Sequence, residues 1–188
     1  MYKFGSVALE PLRKSNNYFY QQMRNHESVR SWCRQNNLIQ SDMQNDWFER
    51  VIKDPTTRMY EIKGTTKRID DFGVVVKTEL LVGVCGLTSI DYINSRAEFS
   101  LYIGHSYQRQ GFAKDALKAL LEVAFNEVNL NGVWGETFEG NHALNLFEKL
   151  GMKKEGTRRQ FYFKGGKYID AHLVSITREE WRNCSLEY

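Results

Sequence analysis

The run Gln108-Arg109-Gln110-Gly111-Phe112-Ala113 places a guanidinium, two carboxamides and two small residues just where a long apolar periodicity begins. A helix opening near Phe112 leaves the N–H groups of residues 110–113 without helical partners, with the positive end of the helix dipole behind them. Phosphate binds such a geometry, and the small residues at Gly111 and Ala113 let a pyrophosphate approach the backbone. Taken alone, the spacing is equally that of a turn glycine ahead of a helix-forming alanine. Immediately upstream, AEFSLYIG alternates as a strand does. Glu98, Ser100 and Tyr102 fall on one face, and Phe99, Leu101 and Ile103 on the other.

These residues need a scaffold, and the rest of the chain supplies one. After the loop, Ala116, Leu117, Leu120, Leu121, Ala124, Phe125 and Val128 form a helical stripe. VWGETF (133–138) reads as a further strand. In HALNLFEKLGM, Ala143, Leu146, Phe147 and Leu150 recur at helical spacing, with Gly151 as the C′ residue. Nearer the N-terminus, residues 4–12 read as a strand ending near Pro11, residues 15–33 as a polar and aromatic helix, and residues 41–52 as a second helix that stops before Asp54-Pro55. Residues 59–62, 73–77 and 80–87 are β-rich, and the short Thr78-Glu79 connection predicts a hairpin between the last two. Gly83 and Gly86 inside the third run mark close backbone contact rather than a site. The tail predicts a hairpin turning at Lys164-Gly165-Gly166-Lys167. Hairpins mixed with βα units give an α+β sheet covered by helices.

With 188 residues, 41% of them hydrophobic, the chain fits one domain spanning 1–188. The net charge of +3 is mild, so nucleic acid is not an expected partner. Cys33, Cys85 and Cys184 are too few and too scattered for a disulfide framework or a zinc site. The four histidines (His26, His105, His142, His172) show no metal spacing, and no metal is expected. No apolar run reaches the ~18 residues of a membrane span and no secretory signal is evident, which points to a soluble protein of a reducing cytoplasm. The oligomeric state is not legible.

The stretch AEFSLYIGHSYQRQGFAKDALKALLEVAF resembles the acetyl-CoA-binding core of the GCN5-related N-acetyltransferases (GNAT), in which a strand leads into an R/Q-x-x-G-x-G/A loop and a long helix. The segment from Asn141 to Met152 resembles the second signature of that family, and GMKKEGTRRQFYFKGGKYIDAHLVSITREEW is similar to its RimJ/RimL branch. The resemblance implies a mostly antiparallel sheet of about six to seven strands flanked by helices, with a splayed parallel pair (97–104 and 133–138) forming the acetyl-CoA cleft. It further implies that backbone groups of Leu101 and Ile103 meet the pantetheine and that the amides of residues 110–113 hold the pyrophosphate. Gln108 and Arg109 would lie near the phosphates, and Asn141 and Phe147 beside the rest of the cofactor. Asn141 is equally suited to capping its helix.

Acetyl transfer to a primary amine needs a base, because the amine is a cation with a pKa near 10. Glu98 occupies the position where several family members place one; an ordinary ion pair is its other reading. Many relatives protonate the leaving thiolate with a tyrosine where this chain has Phe147. Tyr102 is then the substitute acid, or a packed side chain. By resemblance, Arg24, Asn25 and Trp32 contact the acceptor, a protein N-terminus or a small amine such as an amino sugar, a polyamine or an antibiotic. The reaction is direct transfer within a ternary complex. The rival reading, a CoA-binding or nucleic-acid-interacting module without catalysis, rests on Phe147 and on the basic group Lys153, Lys154, Arg158 and Arg159.

Overall fold

The computed structural model describes residues 1–69 and 75–185. Its first strands, β1 (Tyr2–Phe4) and β2 (Val7–Pro11), form a tight hairpin. The sequence suggested one strand there; Gly5, at φ +53°, makes the reversal. Next come α1 (Asn17–Asn25) and α2 (Glu27–Arg30) in place of one continuous helix. The break is at His26, whose extended backbone and side-chain acceptance from Ser28 N start a new helix. An irregular segment leads to α3 (Ser41–Val51).

Two long strands follow, β3 (Arg58–Ile69) and β4 (Val75–Asp91), paired antiparallel. No hairpin turns at Thr78-Glu79: those residues pair with Thr66 and Thr65 inside one continuous strand. Part of the expected 73–77 run lies outside the described residues. Gly83 and Gly86 do mark close approach, since a Cβ at either would press on the carbonyl oxygen of Tyr102 or of Arg58. The chain continues through β5 (Arg96–Ile103), α4 (Phe112–Glu122), β6 (Gly132–Phe138), α5 (Ala143–Lys149), β7 (Lys153–Lys164), β8 (Lys167–Thr177) and α6 (Arg178–Ser185). Gly151 closes α5 at φ +85°, and Gly165-Gly166 turn the last hairpin, both as the sequence suggested.

All eight strands form one sheet in the order β1-β2-β3-β4-β5-β6-β8-β7, more strands than the expected six or seven. Every neighbouring pair is antiparallel except β5 and β6. On one face Leu117, Leu120 and Leu121 of α4 bury against Leu9, Ile62, Val82 and Leu87, making the main core. Counted from Leu87 and Ile103, alternation turns Val84 and Tyr102 the other way, where Tyr20 of α1 and Val29 of α2 cover them, and the bulge opposite Ile62-Lys63 brings Val82 to the α4 side. The sheet therefore has α4 on one side and α1 to α3 on the other. Of the basic residues in the tail, Lys153 pairs with Glu180 at 2.6 Å and Arg158 with Glu136 at 3.0 Å. Those two pairs offset half of the basic group considered above for nucleic acid.

Candidate active site

The parallel pairing of β5 with β6 covers only Arg96, Ala97 and Glu98 against Gly132, Val133 and Trp134. Beyond it both strands continue, β5 held by β4 and β6 by β8, but no longer bonded to each other. Two inner strand edges thus face a gap in mid-sheet, with backbone groups able to pair with an extended amide-containing ligand. Gly135 sits where the strands part: a Cβ there would strike the Phe99 ring. A cleft of about 910 Å³ opens along this gap, lined by Phe99, Leu101, Ile103, Gln108, Arg109, Ala113, Thr137, Asn141 and Phe147.

At one end of the cleft lies the loop before α4. Arg109 and Gly111 both take left-handed backbone conformations, at φ +61° and +88°. The N–H groups of residues 109–113 have no partner among the described residues, because the first helical bonds run from Lys114 and Asp115 to the Gly111 carbonyl. A Cβ on Gly111 would meet nothing within 4 Å. This open cradle of amides at a helix N-terminus suits the pyrophosphate of acetyl-CoA. Two side chains differ from expectation in what they contribute. Phe112 is buried in the core, and Gln110 Nε2 turns back to the Ser106 carbonyl at 3.0 Å; each offers the cleft only its N–H. Gln108 Nε2 donates to the Ile103 carbonyl at 3.1 Å, tying the loop to the end of β5.

Across the gap, Asn141 Oδ1 accepts from Ala143 N at 3.0 Å, so the capping reading holds. Its Nδ2 makes no hydrogen bond among the described residues and is free for a ligand carbonyl. Thr137 Oγ1, buried in the cleft wall, has no partner either. Phe147 packs edge-on against Phe99, ring centroids 5.0 Å apart, and carries no proton to give.

Glu98 stands where the strands begin to part, its side chain 12% exposed and ion-paired with Arg34. The same guanidinium reaches Glu136 at 2.6 Å. Glu136, 2% exposed, also accepts from Arg158 at 3.0 Å and from the Tyr162 hydroxyl. Arg34 therefore bridges two carboxylates on neighbouring strands, one of them fully engaged and the other, among the described residues, with Arg34 alone. Sequence reading missed both Arg34 and Glu136. Glu136 carried a signal, a charged residue inside an apolar strand on the same parity as Trp134; Arg34 lies in irregular chain and carried none.

A second cavity of about 390 Å³ adjoins the cleft beneath α1 and α3, and the two share Arg24, Gln35, Thr88, Ser100 and Tyr102 as lining. Burial, the main cause, pushes the Tyr102 phenol well above its ordinary pKa, although the nearby Arg24 charge works the other way. Tyr102 is thus protonated at neutral pH, with Arg24 over its ring at 5.3 Å. Trp32 lines the cleft. Asn25 lines neither cavity: its side chain donates to the Ile39 carbonyl and accepts from Ile39 N, both at 2.8 Å, and so fixes the segment between α2 and α3.

The sequence of residues 6–153 matches the acetyltransferase (GNAT) domain. The spermidine N(1)-acetyltransferase of Vibrio cholerae serotype O1 is 23% identical over 180 residues, covering 95% of this chain and 97% of that protein. That of Escherichia coli K12 is 25% identical over 178 residues, covering 94% and 88%. The uncharacterized N-acetyltransferase p20 of Bacillus licheniformis is 31% identical over 112 residues, which span 58% of this chain and 63% of that protein. In fold, the crystal structure of the Vibrio cholerae spermidine N-acetyltransferase with CoA and spermine superimposes with a TM-score of 0.81 at 22% identity, covering 95% of this chain and 99% of that one. No helix among the described residues is long and apolar enough to cross a membrane. With the splayed strands, the amide cradle and the matched domain in agreement, the chain belongs to the GNAT acetyltransferase family and is an N-acetyltransferase that uses acetyl-CoA as co-substrate.

Proposed function

We propose that the protein acetylates the primary amine of a small molecule, which enters through the pocket beneath α1 and α3 while acetyl-CoA occupies the cleft between β5 and β6. One observation carries this reading: the two cavities share a wall on the Glu98 face of β5, so amine and thioester meet there. Likeness to the spermidine acetyltransferases supports a small amine over a protein N-terminus, and it gives the RimJ/RimL branch no particular support.

Acetyl-CoA supplies an acyl carbon already activated as a thioester. The residues of the chain position, deprotonate and screen. The amides of residues 110–113 hold the pyrophosphate, and Gln108 and Arg109 lie beside it. Asn141 Nδ2, with the free edge of β5 at Leu101 and Ile103, orients the pantetheine, and Phe147 and Phe99 close the apolar wall. Glu98 accepts the amine proton, directly or through water, and Arg34 keeps its carboxylate oriented between the strands. Tyr102 remains a proton donor, placed between the cavities with Arg24; Trp32 borders the acceptor's route. Tyr102 is the donor left to replace the missing tyrosine at Phe147, and a thiol with a pKa near 8.5 can also leave unassisted as the thiolate.

The test is a panel of amines and of peptides with free N-termini, incubated with acetyl-CoA, with products read by mass. Acetylated small amines are expected. Acetylation confined to the peptides would overturn the acceptor assignment.

A further inference from the structure

The pocket beneath α1 and α3 has a charge pattern that suits a particular kind of amine. Its lining includes two guanidiniums, Arg24 and Arg50, and a single carboxylate, Asp54. Asp54 is already engaged: it accepts from Thr56 N at 2.8 Å, Thr56 Oγ1 at 2.7 Å and Thr57 Oγ1 at 2.8 Å. The Arg50 guanidinium makes no hydrogen bond or ion pair among the described residues, but where the Thr56 and Thr57 hydrogen bonds hold the Asp54 carboxyl below its ordinary pKa, the Arg50 charge adds to their larger effect. Arg24 uses Nη2 on Gln35 at 2.5 Å, and its Nε is buried without a partner. Gln44 is 4% exposed and lines the same pocket. Between these groups the walls are apolar: Ile39, Met43, Trp47, Val51 and Met59.

A buried donor without a partner is costly, and Arg24 Nε is one, so a ligand that accepts from it relieves that cost; Arg50 is exposed and offers its charge at the pocket's other side. A polycation cannot accept from either guanidinium and, beside the engaged Asp54, has only the Gln44 carbonyl oxygen among these groups to donate to, whereas an anion accepts from both guanidiniums. The charges are also separated along the joined cavities. Glu98 lines only the cleft and Arg50 only the pocket, so an acceptor reaching from one to the other meets Glu98, paired with Arg34, at its amine end and, at its far end, Arg50 beside Asp54, with Arg24 between.

Resting on the acetyl-transfer reading above, we infer that the acceptor is an amino carboxylate: a primary amine joined by an apolar body to an anionic group, which Arg50 and Arg24 receive. Polyamines, the acceptors named for the spermidine acetyltransferases, are then poor substrates. Arg50 lies in the last turn of α3, where the helix's carbonyl end offsets part of its charge. That limits the gain from the anion to about tenfold, the scale of one charged hydrogen bond.

Three amines of matched length test this: 6-aminohexanoate, hexylamine and 1,6-diaminohexane. With acetyl-CoA saturating, kcat/KM is expected to favour 6-aminohexanoate over hexylamine by about tenfold, with the diamine poorest. Arg50→Glu should shift the carboxylate-to-diamine ratio by about tenfold or more toward the diamine. A wild type that prefers the diamine, treats all three alike, or keeps its ranking in a folded Arg50→Glu variant overturns the inference. Calorimetry of the same amines with the CoA-loaded protein ranks them without turnover. Ordered binding without any acetylation would therefore count against acetyl transfer to these amines and for the pocket. Absence of binding by all three would count against the pocket, while acetyl-CoA binding is read separately in the same instrument.

Discussion

Glu98→Gln separates the two roles that its position allows. The change keeps the side chain's shape and a hydrogen-bond acceptor for Arg34 but removes the basic lone pair. Its structural cost is modest: Glu98 is mostly buried, but Gln still accepts from Arg34, which is about half exposed and keeps Glu136 as partner, so the loss is on the order of 1 kcal/mol, that of one weakened hydrogen bond. For a chain of this length that lowers Tm by roughly 2–4 °C. The catalytic cost is on another scale, because a positioned base contributes about 10² to 10⁴ in rate. The loss should also depend on pH. Without the carboxylate the enzyme must capture amine that is already neutral, and for an amine of pKa near 10 that fraction rises about tenfold per pH unit. Between about pH 7 and pH 9 the deficit should therefore shrink by roughly a hundredfold. The assay is steady-state kcat for both proteins across that range on an amine from the panel, with Tm recorded alongside. A variant within about threefold of wild-type turnover throughout, with only its Tm lowered, would sink the base assignment and leave Glu98 as the partner of Arg34.

Three further outcomes are expected. Gly111→Val sets a branched residue at φ +88°, at a local cost of roughly 1–2 kcal/mol, and fills the open side of the amide cradle; calorimetry should show acetyl-CoA affinity falling about tenfold or more, and unchanged affinity would refute the cradle. Asn141→Ala should raise the KM for acetyl-CoA as well as lower Tm, the lost cap accounting for ~1 kcal/mol; a stability loss with unaltered KM would leave Asn141 a cap alone. Burial alone would raise the carboxyl pKa of Glu61, but Lys63, Tyr20 and Asn16 outweigh it and hold the pKa below the usual range. A depressed pKa means stability present above the unfolded value of about 4.3 and lost as pH falls through the folded one. Melts should therefore show wild-type Tm dropping more steeply below about pH 4 than that of Glu61→Gln; parallel curves would refute this.

The loop before α4 and the faces of β5 were legible because local rules make them. The amide cradle follows from a glycine before a helix, and the polar face of β5 from strict alternation in AEFSLYIG. The chemistry of the acceptor half depends on tertiary placement. Arg34 reaches Glu98 and Glu136 from a segment without periodicity, and Arg50 and Gln44 line a pocket that exists only once α3 lies over the sheet. Strand boundaries failed for a related reason. Residues 77–80 break the apolar pattern of β4 and resemble a turn, yet pairing with β3 carries the strand through them. Gly5 turned one expected strand into two, as a glycine free to take positive φ can.

The parting of β5 from β6 has a thermodynamic consequence. Every other interior strand of the sheet is bonded on both sides, while these two give up part of their mutual ladder to hold a slot open. A ligand that fills the slot binds the folded chain and not the unfolded one, so it acts as a removable component of the fold. At a hundredfold excess over Kd it adds about 2.7 kcal/mol, or roughly 5–10 °C in Tm for a chain of this size. The amount of intact enzyme is thereby coupled to the supply of its acyl donor: when acetyl-CoA runs low, the protein unfolds more often and becomes a better target for proteolysis, and capacity for acetylation falls by loss of protein as well as by loss of substrate.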